Sequence, residues 1–473
     1  MSSQWQRWRR WLAPGLGIKR WVLVIALGGL VFSAGVSLLV NVKFLAEFDA
    51  AVFWLADWLA RVTGGGVSPT VLGAAGVAGG ALVAFLGLRG TLRSIDRVLF
   101  PSGSPTLVEV LRDHRRRQRG LHIVALGGGT GLSTLLRGLK RYSSNLTAVV
   151  TVFDDGGSSG RLRRELGVLP PGDIRDCLVA LAEAEPLMTR LFEHRFRGGA
   201  LDGHAFGNLF IASLVGVTGD LEQAVKETSK VLNIRGRVLP TTVRDVVLVA
   251  DLEDGRVVEG ESQIPAARGR IRRVRLRPPE IAPLPEVLAA IAAADLILLG
   301  PGSLYTSVIP NLLVRGVADA IRAARGLRVY VCNVMTQPGE TDGFTAADHV
   351  RALEAHAGPG LFTHVLVNTQ APQNRALLAR YAAEGSHPVA PALAELEAMG
   401  LVAVGAPLVS EEEVLRHDPV RLARAVLDLW VAATGRPRRP RRRPRRARRA
   451  PAARRSPTGT APGTHRPGET VPP

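Results

Sequence analysis

Residues 121–132, Leu-His-Ile-Val-Ala-Leu-Gly-Gly-Gly-Thr-Gly-Leu, constrain this chain more than any other stretch. Leu121–Leu126 reads as a short apolar strand. Gly127, Gly128, Gly129, Thr130 and Gly131 break it, and Leu132, Leu135, Leu136 and Leu139 then recur at helical spacing. A strand, a glycine turn and a helix start make a site for an anion. Glycines let the backbone approach phosphate oxygens, the free N–H groups of the first turn donate to them, and the helix dipole favours negative charge. Four glycines in five residues exceed what turning alone needs. The dinucleotide fingerprint would place a third glycine where Leu132 stands, and the Gly-Lys-Ser/Thr ending of a Walker A loop is absent. A phosphate-bearing ligand is expected, rather than a standard NAD site.

The same alternation continues down the chain. Strand-like Leu146–Phe153 precedes a glycine loop and helical Asp173–Ala184. Leu296–Leu299 precedes Ile309–Arg325, Arg328–Val334 precedes Thr345–Ala357, and Thr363–Val367 follows. Such alternation predicts an α/β fold, a parallel sheet covered by helices. An all-helical stretch, Leu187 to Val231, interrupts it, and a β-hairpin is expected at Val246–Leu252 and Arg256–Gly260 around Asp254-Gly255. Ligands of such sheets bind at the carboxyl ends of the strands, and the polar, glycine-bearing segments fall there.

The second strand ends in Asp154, Asp155, Gly156, Gly157, Ser158, Ser159, Gly160 and Arg161. Two carboxylates, a flexible Gly/Ser loop and an arginine suit a metal-assisted phosphate site. Mg²⁺ takes oxygen ligands and bridges to substrate phosphate, and Arg161 or Arg163 can pair with an anion. A second reading has Asp154 holding a ribose hydroxyl. Asp173, after Pro170-Pro171-Gly172, is placed to cap a helix. His204 and Asn208 open an apolar helix and are candidates to read a base or sugar. Gly300, Gly302, Ser303 and Thr306 form a second glycine-and-hydroxyl turn, and Asn333, Thr336, Gln337, Gly339, Glu340 and Thr341 a further polar cluster. No serine-histidine-acid order, paired-histidine motif or cysteine nucleophile setting stands out.

The first 98 residues read as a membrane anchor. Val22–Val40 is uncharged and long enough to span a bilayer, and Val67–Leu88 is a second run rich in Gly and Ala. Basic residues flank the pair, and the loop between carries Lys43, Glu47, Asp49, Asp57 and Arg61. The positive-inside rule then puts both chain ends, and the main domain, in the cytoplasm. Phe44–Val62 is amphipathic and expected along the outer interface. Residues 99–119 read as a basic linker, 120–434 as the main domain, and 435–473 as a disordered Arg/Pro-rich tail. Twelve arginines lie between Arg436 and Arg455, so the net charge of +19 is mostly a property of the tail, not evidence for a nucleic-acid-binding fold. Linker and tail could both touch anionic lipid. Two cysteines, Cys177 and Cys332, exclude a disulfide framework or cysteine-rich zinc site and suit a reducing cytoplasm. Oligomeric state is left open, a homo-oligomer included.

Gly127–Leu132 with its leucine-rich helix, Asp154–Arg161, Pro171–Asp173, Gly203–Asn208 and Gly300–Pro310 together resemble the bacterial gluconeogenesis-factor (YvcK-like) family. That family is related to the 2-phospho-L-lactate transferases of deazaflavin coenzyme synthesis. The resemblance implies a Rossmann-like sheet with helices on both faces that binds uridine-diphosphate sugars. It also implies a role in gluconeogenic growth, cell shape and envelope maintenance. The related transferases hold a metal by aspartate near the donor phosphates, and Asp154 matches that position. The alternative is a metal-dependent transferase acting on a nucleotide-activated donor. The two spans and the arginine tail lie outside the family's core.

Overall fold

The computed structural model describes residues 19–40, 46–62, 68–99, 117–183 and 186–435. The interior of the expected linker and the arginine tail lie outside them.

Lys19–Val40 and Pro69–Leu99 are long helices packed against each other. Their stretches Arg20–Val40 and Thr70–Ser94 are long and apolar enough to cross a membrane. Small residues let the backbones meet: a Cβ on Gly28 would lie 2.4 Å from the Ala84 nitrogen. The connecting segment forms the helix Ala46–Val62, with Trp54 and Trp58 exposed. Its Asp49 is buried and accepts from Ser37 Oγ at 2.8 Å.

The main domain is built on seven parallel strands: β1 Ile123–Gly127, β2 Leu146–Val150, β3 Arg237–Pro240, β7 Leu296–Leu299, β8 Leu327–Val331, β9 His364–Asn368 and β10 Val402–Ala406. Their order is β10-β9-β8-β7-β1-β2-β3. β1 and β7 are neighbours, and the order reverses between them. Every residue of β1, β2 and β7 is buried, as strands covered on both faces must be. Three antiparallel strands, β4 Val247–Leu252, β5 Val257–Glu259 and β6 Ile271–Arg277, form a separate small sheet.

The α/β expectation holds, and so do the hairpin and the helical insertion, here Pro186–Glu193, Phe206–Thr218 and Leu221–Val231. Three details differ. β2 stops at Val150, and the next residue, Thr151, donates its hydroxyl to Asp173 (3.2 Å). The stretch expected as one helix over Ile309–Arg325 is a wide π turn, Leu304–Val308, then Ile309–Leu313 and Val317–Ala323, interrupted by Gly316 at φ 77°. The Gly/Ser loop after Asp155 is no flexible loop: Gly157–Leu166 is a helix with Gly156 at its N-cap.

Candidate functional site

A crevice of about 390 Å³ opens at the carboxyl end of the sheet, where β1 meets β7. Reversal of strand order parts the two loops there, which is the general reason such sheets bind ligands at this point. One wall is the start of the helix Gly129–Leu139, contributing Gly128, Thr130 and Gly131. The facing wall is Gly302 and Ser303 after β7 and Asn333, Thr336 and Gln337 after β8. Gly131 has no room for a side chain, since a Cβ would lie 2.7 Å from the Pro301 carbonyl oxygen. The two walls are therefore in backbone contact. Asn333 ties the two loops of the facing wall to each other, accepting from the Gly302 N–H at 3.1 Å and donating to its carbonyl at 2.8 Å. Asn311 reaches the Gly127 carbonyl at 3.1 Å from below.

Beside the glycine turn lies a group of carboxyls. Asp154 accepts from the Gly156 N–H at 2.8 Å, and Asp155 from the Ser262 N–H at 2.8 Å. Asp173 does not cap its own helix, Gly172–Leu181, whose start has no side-chain cap. Its carboxylate takes the Gly129 N–H and the Thr151 hydroxyl instead. One donor of the glycine turn is thus already committed to a carboxylate. Burial, then Asp154, pushes Asp173 up to about 7, and burial raises Asp154 against hydrogen bonds from Gly156 and Ser159. Glu261 arrives from the small sheet with its Oε2 buried and, among the described residues, without a hydrogen-bond partner. Burial and the neighbouring Asp173 and Asp154 raise it well above the usual range. Glu340 holds the π turn, accepting from the Tyr305 N–H (3.3 Å), Thr306 Oγ1 (3.2 Å) and Gln337 Nε2 (2.8 Å), and burial pushes it up to about 7.

Asp154, Asp173 and Glu261, neighbours that burial disfavours as anions, form an environment that a cation would relieve. Among the described residues no three His, Cys, Asp or Glu side chains converge as a complete metal cage. Asp154 with Asp173 fits the sparser arrangement in which Mg²⁺ keeps one or two carboxylates and takes its other oxygens from substrate phosphate and water.

Several expected residues do other work in this structure. His204 Nδ1 lies 3.1 Å from Ser158 Oγ, and Asn208 donates to the same oxygen at 3.1 Å while accepting from Arg175 at 3.1 Å. All three are buried and brace the Asp154–Arg161 segment from behind. Arg161 donates to the Asp202 carbonyl at 2.5 Å, and Arg163 binds Asp245 and the Val246 carbonyl. The crevice also has lining that sequence reasoning missed: Tyr381, Ser386, Arg416 and His417, from the last third of the domain. Arg416 is its one basic side chain among the described residues. A signal was present, since Arg416-His417-Asp418-Pro419 is a polar run ending in an N-cap and a first-turn proline. His417 is buried, its Nε2 lacks a partner among the described residues, and burial pushes it down to about 4, so the crevice meets a neutral imidazole.

Residues 123–409 match the family model described as "2-phospho-L-lactate transferase CofD". Over 433 residues the chain is 49% identical to the "Putative gluconeogenesis factor" of Nostoc sp., covering 90% of this chain and 93% of that one. The chain belongs to the gluconeogenesis-factor family. The "Gluconeogenesis factor" of Bacillus subtilis is 52% identical over 309 residues, which are 65% of this chain and 97% of that one. A crystal structure of a UPF0052-family protein from Bacillus halodurans superposes with a TM-score of 0.63 at 50% identity, covering 65% of this chain and 99% of that one. Gluconeogenesis factors therefore occur in two lengths. The Bacillus proteins correspond to the α/β domain alone, whereas the match to the Nostoc protein extends into residues outside it.

Proposed function

We propose that this gluconeogenesis factor binds a nucleotide sugar, specifically a uridine-diphosphate sugar, at the β1/β7 crevice, and does so at a membrane. In this reading ligand occupancy is coupled to growth on gluconeogenic carbon, to cell shape and to envelope maintenance, and the domain lies on the cytoplasmic side. The observation that carries it is the crevice itself. The helix start at Gly128–Gly131 offers backbone donors to a diphosphate, with Arg416 on the rim as a countercharge. Thr130, Ser303, Asn333 and Gln337 offer neutral groups to hydroxyls or a base. Mg²⁺, held by Asp154 with Asp173, would neutralise the same phosphates.

A second reading, a metal-dependent transferase of the 2-phospho-L-lactate type, is favoured by the Asp154–Asp173 pair and by the name of the matching family model. Calorimetry of the isolated domain with uridine-diphosphate sugars, guanosine nucleotides and NAD separates the two. Binding of the sugar nucleotide without its consumption in cell extract is the expected result. Tight guanosine-nucleotide binding with a new phosphate-linked product would establish the transferase, and binding of none of the three would sink both.

A further inference from the structure

In a parallel sheet all strands start at one end, and the helices between them finish there. Exposed arginines lie at both ends of this axis. At the carboxyl end they belong to the small sheet (Arg270, Arg272 and Arg273), beside the buried or half-buried carboxyls Asp154, Asp155, Asp173, Glu261 and Glu340. The opposite, basal end collects arginines. Arg119 precedes β1, Arg141 precedes β2, Arg237 opens β3, and Arg325 precedes β8, all four exposed. Helix dipoles favour cations after helix ends and account for Arg141 and Arg325. Arg119 likewise follows the helical residues 117–118, whereas Arg237, which opens β3, has no such explanation. Two acids of the basal end are engaged within the fold: Asp295 accepts from the His122 N–H at 3.0 Å, and Glu183 pairs with Arg235.

Both charged extensions of the chain leave from this same end. Residues 117–120 are fastened to the start of β2, with Asn145 donating to the Gln118 carbonyl (2.9 Å) and the Gly120 carbonyl (2.8 Å). A groove of about 340 Å³ between His122, Asn145 and Arg237 adjoins them. Thr434, at the end of the last helix, lines a second basal groove of about 310 Å³ with Asp295 and Arg325. The segment joining the domain to the second membrane-length helix therefore enters at the base, and the twelve arginines from Arg436 to Arg455 start from it.

We infer that the basal end of the α/β domain is a docking face for an anionic lipid bilayer, with Arg119, Arg141, Arg237 and Arg325 on the headgroups and the crevice pointing away from the membrane. Attachment decides the orientation, because both basic extensions leave from the basal end and hold its exposed arginines toward the anionic surface. Proximity supplies the partner, because only positions 100–116 separate the domain from the helix Pro69–Leu99. The inference rests on the membrane part of the proposed function and is independent of the ligand.

The test uses the isolated domain, residues 117–435, since the Bacillus halodurans chain shows that this unit folds without the N-terminal helices. It is floated with phosphatidylcholine vesicles with and without phosphatidylglycerol. Binding is expected only with phosphatidylglycerol, and it should fall as salt rises. The combined Arg119→Gln/Arg141→Gln/Arg325→Gln variant should bind roughly ten-fold more weakly or worse. An equal charge loss on the small sheet over the crevice end, Arg270→Gln/Arg272→Gln/Arg273→Gln, should leave binding nearly unchanged. Thermal melting of both variants establishes that they are folded, and Arg237, which donates to Thr147 at 2.9 Å, is left in place so that β3 is not disturbed. No binding of the unaltered domain at low salt would overturn the inference, as would equal losses in the two variants. Displacement of the vesicles by a lower concentration of single-stranded RNA would also overturn it, by making the face a nucleic-acid surface. Failure of the membrane reading itself would look different: the full chain would then be released from cell membranes without detergent, whatever its arginines.

Discussion

Asp154 and Asp173 differ in what holds them, so removing their charges should separate two roles. Asp154→Asn keeps the acceptor for Gly156 and removes the anion. Ligand binding should weaken by about ten-fold or more and lose its response to Mg²⁺. Calorimetry with and without chelator reads both effects, and equally tight binding of the unaltered domain in chelator would return Asp154 to the ribose-binding reading. Glu340 allows a prediction in pH. Its folded value is raised to about 7 by burial, above the ordinary carboxyl value of 4.5, so between those limits the folded state holds a proton the unfolded chain has released. Stability from this group is thus present at low pH and falls as pH rises through that window. Glu340→Gln cannot ionise. The variant's deficit in melting temperature relative to the parent should shrink from pH 5 to pH 8, and a constant or widening deficit would show that Glu340 is ionised throughout.

At the scale of elements, the crevice depends on two loops touching. Gly131→Ala puts a methyl group against the Pro301 carbonyl, which is backbone and can yield only by parting the loops. A loss of about 1–3 kcal/mol in unfolding free energy is expected, with a larger effect on ligand affinity than any substitution on the outer face of that helix. Denaturant titration and calorimetry on one preparation measure both. The elements that sequence made legible are those with strong local chemistry. β1 and its helix were readable because an apolar strand, glycines and a leucine stripe are adjacent, and the hairpin because Asp254-Gly255 marks its turn. β3, Arg237–Pro240, was missed because it is short and ends in proline. β6, Ile271–Arg277, was missed because its arginines mask the alternation of Ile271, Val274 and Leu276. Asp173 looked like a cap because capping is a local habit, whereas its real partners come from the Gly129 turn and Thr151. Most of the C-terminal wall of the crevice, Tyr381 to Leu415, was hidden for the same reason, and only the Arg416–Pro419 run carried a local signal. Its residues meet the glycine loop only through tertiary packing.

For the whole molecule, the arrangement of charge about the two long helices predicts a topology that can be measured. Lys19 and Arg20 open the first helix, and Arg89, Arg93 and Arg97 close the second, while the connection between them carries Glu47, Asp49 and Asp57 against Lys43 and Arg61. Translocating the arginine ends would be far costlier than translocating that connection, so both ends should stay inside and the helix Ala46–Val62 should lie outside. Its exposed Trp54 and Trp58 then sit at the level of the headgroups, where indole rings prefer to be. Cys177 and Cys332 are buried, so the native chain gives little background in a labelling experiment. Cysteines introduced at Ala50 and Val62 should react in intact cells with a maleimide that cannot cross the membrane. One introduced at exposed Ser213, in the α/β domain, should react only after the cells are opened. Labelling of the Ser213 position from outside would invert the topology and put the crevice beyond the reach of cytoplasmic nucleotide sugars. Equal labelling of all three only after opening would mean that the Ala46–Val62 helix never leaves the cytoplasm, and that the paired helices do not span the bilayer.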